Sequence, residues 1–310
     1  MRCFLPAAAF AVAALAIGGC SVPSGLPSLG VQRAAVELQR NAKATTLLYV
    51  SDTQTSEVYV YTYPGGKLEQ TLSGFIDPGG ECADAKGDVF VTNTGGLNVV
   101  EYAHGASAPS ATLKDPGYFP FGCSVDPTTG NLAVTNFSPA SGSGAGNVVI
   151  YQHARGKPKQ RYRLLTMPSV LLCGYDNKGN LYVDGLTEAS ATAFAELPAG
   201  GKKLVEISLD QSIVAPGGVQ WDGKYVAVGD EASDTIYRFA IGAKKGVRAG
   251  TVALSGGSAV VQFWIDGSKI VGPNSGSGSA GVWKYPAGGA PAKTIRGLSV
   301  PLGTVISSGS

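Results

Sequence analysis

Histidine is nearly absent from this 310-residue chain: His104 and His153 are the two it has. That leaves little material for a zinc site or for proton abstraction by imidazole. No Gly-x-Ser-x-Gly elbow and no phosphate-cradling loop occurs, so a nucleophilic hydrolase and a nucleotide site find no support. Runs of basic residues are missing too. Lys+Arg number 24 against 22 Asp+Glu, and a near-balanced chain without cationic clusters lacks the footprint that phosphate-backbone binding needs. Nucleic acid is therefore not expected as a partner. The one strongly apolar run, about residues 4–17, is too short for a membrane-spanning helix. What is plentiful is glycine (44) and proline (18), which favours many short strands and turns over helices.

The start, "MRCFLPAAAFAVAALAIGGCS", has an early charge at Arg2, the apolar run, and small residues leading into Cys20. This is the pattern of a secretory signal. Its "IGGC" resembles the bacterial lipobox, which implies lipidation of Cys20 as the new N-terminus; an ordinary cleaved signal with a chance cysteine is the alternative. Ser21 after the cysteine resembles cargo sent to the outer membrane, where the organism has one. The expected organisation is a signal over residues 1–19, a tether over 20–44 and one folded unit over 45–310. Removing 1–19 takes Arg2 and no acid, leaving 23 Lys+Arg against 22 Asp+Glu. The first half of the tether is rich in Pro, Gly and Ser, while 31–43 has the makings of a short helix. Such a tether holds a domain beside a membrane through the lipid alone.

The folded part repeats. "LYVSD" at Leu48 returns as "VFVTN" at Val89, "LAVTN" at Leu132, "LYVDG" at Leu181, "VAVGD" at Val226 and "IVGPN" at Ile270, at intervals of 41, 43, 49, 45 and 44 residues. A second β-rich run follows each, such as "EVYVYTYPGG" or "GVWKYPAGG", then a more variable third. A fourth strand follows a Pro-x-Gly turn in four units: 78–80, 120–122, 216–218 and 301–303. Four short strands per unit of just over forty residues is the signature of a propeller blade. The expected fold is thus all-β, a six-bladed β-propeller of four-stranded blades. Because the repeat starts at a second strand and stops after a first one ("GTVIS", 303–307), the C-terminal strand should complete the first blade and leave no open edge there. A pair of β-sandwiches does not predict this recurrence. The order of turn, apolar strand, "Asp-x-x-Gly" turn and "LYVxD" resembles NHL-type six-bladed repeats and their TolB-like relatives over about residues 47–307. The resemblance implies the fold and leaves function open, since such propellers host lactonases, lyases, dehydrogenases and pure binding modules.

Antiparallel strands place the loops before each innermost strand and after each second strand on one face. Around that mouth the repeat sets Asp52, Asn93, Asn136, Asp230 and Asn274, with Asp184 one position early. Asx residues at one repeat position are turn formers, bonding to nearby amides; a ring of oxygens also suits a hard cation such as Ca²⁺. Longer loops (137–146, 185–193, 275–281), the aromatic "GYFPFG" (117–122) and the extra acids Glu81 and Glu231 fall on the same face, which makes it the favoured place for a ligand or partner. His104 and His153 fall in turns of the opposite face and are expected to be exposed.

Resemblance to calcium-dependent, gluconolactonase-like propellers implies metal ligands in the turn before each innermost strand. Those turns read "PGG", "PFG", "PGG" and "PLG" here, so Glu81 is the ligand that survives, with Asn136 and Asp230 as weak companions. Cys82, Cys123 and Cys173 all fall on innermost strands. Counted from the closing aspartates (Asp84, Asp126, Asp176), Cys123 and Cys173 share a parity and Cys82 has the other. Cys82 and Cys123 are thus the adjacent-blade pair able to meet, and an exported setting permits a disulfide. Buried free thiols, that disulfide, and a metal or catalytic thiol stay open at this point. The expectation that follows is a lipid-anchored binding or scaffolding module of the cell envelope, without a cofactor. Its partner, an envelope protein or small ligand, would dock on the Asx face. The alternative is a divalent-cation-dependent, lactonase-like hydrolase with a degenerate site.

Overall fold

The computed structural model describes residues 45–309. The signal segment 1–19, Cys20 and the tether 20–44 lie outside them. The described chain forms six sheets, one per repeat, antiparallel except for one added strand in the fifth. Blade 2 shows the pattern: an innermost strand Pro78–Ala83, a second Val89–Asn93, a third Asn98–Tyr102 and an outermost Ala111–Lys114. The innermost strands of blades 3, 4, 5 and 6 are Tyr118–Val125, Ser169–Tyr175, Pro216–Trp221 and Trp264–Asp266. Blade 1 takes its innermost strand from the end of the chain: Pro301–Ser307 pairs with Leu47–Asp52, matching Leu48 to Ile306 and Tyr49 to Val305. The ring therefore closes as a six-bladed β-propeller.

Burial explains the strand sequences. Second strands such as Leu47–Asp52 and Val89–Asn93 are buried at every residue, because each of their two faces packs on a neighbouring blade; hence the near-continuous apolar runs. Outer strands such as Leu68–Leu72 are mostly exposed and read as polar. Six apolar clusters fill the six seams between blades. Alternation assigns the side chains: Val89 and Val91 join Tyr49 in the seam between blades 1 and 2, while Phe90 joins Leu132 and Val134 in the next. Blade 5 departs from the four-strand plan. Ser208–Leu209 leaves blade 4 after Ile207 and adds to Lys245–Ala253 in parallel, making a fifth strand.

Candidate functional site

We call upper the face that carries the loops after second and outermost strands, and lower the face that carries the loops after innermost and third strands. On the upper face every repeated Asx residue is buried: Asp52, Asn93, Asn136, Asp184, Asp230 and Asn274. Most of these side chains fasten the loop that leads into the innermost strand of their own blade. Asp52 accepts from the amides of Ser299 (2.6 Å) and Val300 (3.1 Å), Asn93 from Ile76 (2.6 Å), Asp230 from Ala215 (3.1 Å) and Asn274 from Ser258 (3.3 Å). Asn136 instead donates to Asp115 (2.8 Å) and Asn147 (3.0 Å), which Arg161 also binds at 2.6 and 2.7 Å. These Asx side chains act mainly as the turn formers their repeat position suggests, bonding to nearby backbone amides, and are turned inward rather than toward a ligand.

Asp184 differs in kind. Its place in "LYVDG" is that of Ser51, Thr92 and Thr135, whose hydroxyls donate to carbonyls of the next blade's innermost strand, at Gly79 (2.5 Å), Phe121 (2.9 Å) and Leu171. Asp184 turns back instead and accepts from Leu172 of its own blade (2.8 Å), leaving Oδ2 without a partner. Burial pushes its pKa well above the ordinary carboxyl value.

Glu81 corrects the sequence reading most plainly. It lies not in a channel-mouth turn but within the innermost strand of blade 2, opposite Val91, so it points into the apolar seam between blades 1 and 2. It is fully buried, both carboxyl oxygens lack a hydrogen bond, and burial pushes its pKa well above 4.5. The neighbouring Tyr49 is pushed up to about 12, chiefly by burial and further by the Glu81 charge. With Glu81 in that seam and Asp230 bonded to backbone amides, the donors proposed for Ca²⁺ do not converge. Among the described residues no group of three or more His, Cys, Asp or Glu side chains could hold a metal ion.

The channel is closed near this level. The amide side chain of Gln262, from blade 6, reaches across to blade 2 and makes two 2.8 Å bonds to the backbone N–H and C=O of Glu81. Glycine permits the crowding: a Cβ on Gly80 would stand 2.8 Å from the Phe121 carbonyl, and one on Gly303 2.7 Å from the Gly79 carbonyl. This is why the Pro-x-Gly turns recur. Toward the lower face the innermost strands enclose a cavity of about 290 Å³, lined by Cys173, Tyr175, Gln220, Trp221 and Trp264 among others. It lies in the half of the channel away from the Asx mouth.

Cys82 and Cys123 form a disulfide between blades 2 and 3, with Cα atoms 5.7 Å apart, and Cys173 is a buried free thiol. His104 is half-buried rather than exposed. Its ring binds the Ser307 hydroxyl (2.6 Å) and the Thr45 carbonyl (3.0 Å), fastening blade 2 to both closing strands of blade 1. His153 is exposed in its turn, with Nδ1 3.1 Å from the Thr129 carbonyl.

Two features of the faces escape a reading along the chain. Of the six large apolar side chains exposed among the described residues, four stand on the upper face in one repeated place, the loop just before an innermost strand: Ile76, Leu165, Val214 and Val300, in blades 2, 4, 5 and 1. Blade 3 adds Phe119, stacked on Phe137 at 5.5 Å, with Phe121 edge-on at 5.9 Å. On the lower face, the turns after the innermost strands of blades 2, 4, 5 and 6 bring Lys86, Lys178, Lys224 and Lys269, and the outer turns of blades 3 to 5 bring further basic residues; all are exposed. Spacing from the turn aspartate was the available signal, since Lys86, Lys178 and Lys224 each follow one by two residues.

No protein-family model matches the sequence, and no curated protein matches it. Solved structures do. One chain of a nidogen–laminin complex superposes with a TM-score of 0.66 at 12% identity, covering 86% of this chain and 100% of that one. A protein of unknown function from Bacteroides caccae gives 0.64 at 10% identity, covering 85% and 99%. At such identities the likeness shows the fold alone: the chain is a six-bladed propeller.

Proposed function

We propose that this protein is an exported, lipid-anchored propeller of the NHL/TolB-like kind that works as a binding or scaffolding module of the cell envelope, and that its partner docks on the upper face. The apolar crown carries this reading. Leu165 is 87% and Val214 71% exposed, and apolar side chains repeated around one rim are a mark of an interaction surface. The repeated Asx residues of that rim are turned into the fold, so they do not screen the apolar side chains of the crown, and exposed polar neighbours such as Asp77 and Arg163 border it. An envelope protein with an apolar patch fits it. The anchor follows from the sequence of the first twenty residues, and a chain attached at Cys20 would stay beside the membrane without inserting a helix.

A photo-crosslinking residue placed at Val214 in cells is expected to give a discrete adduct that Leu165→Asp removes, and one placed at Asn177 on the lower face is expected to give no adduct with the same protein. Adducts of equal yield from both positions would sink the upper-face reading. For the anchor, Cys20→Ser should abolish lipid labelling and release the protein from membranes; continued labelling would remove it.

A further inference from the structure

The lower face carries a second, separate surface. In blades 3, 4 and 5 the turns after the third strands read "QHARGKPK", "PAGGKK" and "GAKK". They bring Arg155, Lys157 and Lys159, then Lys202 and Lys203, then Lys244 and Lys245, with no acid in any of the three. All seven are exposed. Among the described residues the ion pairs are Lys67–Glu69, Arg161–Asp115 and Arg238–Asp222, so none of the seven is held in a close ion pair, and the carboxylate of Glu101 acts on Arg155 only from a distance. The turn aspartates of the same face sit nearer the axis and are bound to their own loops, Asp176 for instance accepting from the amides of Lys178 and Asn180 at 2.8 and 2.9 Å. The outer arc is cationic, and it spans three consecutive blades.

The position of this arc relative to the chain's entry gives it a use. The propeller begins at the lower end of Leu47–Asp52 in blade 1, where His104 holds Thr45. In a ring of six, blade 4 lies diametrically across from blade 1. Residue 45, where the described chain starts, therefore lies on the lower face on one side, and the centre of the basic arc lies on the opposite side of that face. We propose that the arc on blades 3 to 5 docks on an anionic lipid surface and lays the disc flat against it, with the apolar crown turned away from the membrane. One lipid chain gives marginal binding and allows tilting, whereas a chain plus a polybasic patch gives stable attachment. Seven unpaired cations match a surface of phosphatidylglycerol-type headgroups in charge. The orientation argument rests on the anchor proposed above; the lipid affinity of the arc does not.

Residues 41–310 form one compact unit whose ring closes within itself, so they can be produced without Cys20 and floated with vesicles. Binding is expected to vesicles containing about one-third phosphatidylglycerol and not to pure phosphatidylcholine, and to be lost near 1 M salt, where the screening length falls to about 3 Å. Lys202→Glu with Lys203→Glu should weaken it at least tenfold or so, with the far-ultraviolet circular dichroism unchanged, and Lys202→Gln with Lys203→Gln should weaken it less. Leu165→Asp on the upper face should leave it unaltered. Equal binding to both vesicles, no binding at low salt, insensitivity to the charge reversal, or tighter binding to a DNA duplex than to vesicles would each overturn the proposal. Because this fragment cannot be lipidated, its result is independent of whether Cys20 carries a lipid.

Discussion

Blade 2 has two seams, and adjacent residues of one strand treat them in opposite ways. Cys82 points toward blade 3 and is covalently joined to Cys123. Glu81, one residue earlier, points toward blade 1 and finds no partner for either oxygen. At the equivalent place in their own innermost strands, Cys123, Cys173 and Val219 pair with the same second-strand position and are small or apolar. In blade 1 the place is held by Thr304, whose hydroxyl is bonded to backbone carbonyls. The seam between blades 2 and 3 is thus locked, and the one between blades 1 and 2 carries a buried carboxyl where the repeat calls for an apolar group. Other contacts brace this weaker seam: Gln262 grips the backbone of Glu81 and His104 ties blade 2 to the closing strands. Stability in a ring of near-identical units is therefore unequal from seam to seam.

Breaking the locked seam should have the largest effect. Cys82→Ser with Cys123→Ser removes a cross-link over a sequence separation of 41; by loop-closure entropy that costs about 3–4 kcal/mol, read as a lower urea midpoint. Next, Gln262→Ala leaves the Glu81 amide and carbonyl unpaired in the closed channel. A loss of about 2 kcal/mol is expected, and Gln262→Glu should not restore it, because a carboxylate cannot donate to the carbonyl.

The test that sharpens the comparison is Glu81→Val. It replaces an unpartnered carboxyl with the residue blade 5 has in that place, and a gain of about 1–3 kcal/mol at pH 8 is expected. Its pH dependence has a definite sign. The folded protein keeps the Glu81 proton at a pH where the unfolded chain has released it, so the wild-type contribution is full below about pH 4.5 and declines as pH rises toward the folded pKa. Glu81→Gln should flatten that decline in thermal melts at successive pH values; an unchanged slope would show that Glu81 is not its source. His104→Ala, which loosens the lower end of the same seam, should cost the least, about 1 kcal/mol, and should speed hydrogen exchange in Pro301–Ser307 before the rest of the ring.

Much of this was legible along the chain because it rests on period and parity. The spacing of "LYVSD" and its copies fixes the number of blades, and the alternation of strand side chains already sets Cys82 toward Cys123. Position within a repeat did not reveal which way an Asx residue would turn. Asp52 accepts from the local amides of Gln54 and Thr55 as a turn former does, but it and Asn274 also bind the backbone of loops 247 and 16 residues away. His104 reads as a turn residue and binds a strand 203 residues on. Gln262 has no motif at all.

Sequence alone determined the six-bladed ring and its closure, since a repeat that cannot bury its faces singly must stack and each strand's period of two fixes what it buries. Tertiary structure alone decided which side chains of a face turn outward, which turn into the fold and which reach across the ring. Lysines more than forty residues apart gather below, and apolar loop residues of four blades, with the aromatics of a fifth, gather above. Closing the ring brings together ends that the chain keeps apart, and no local pattern records that convergence.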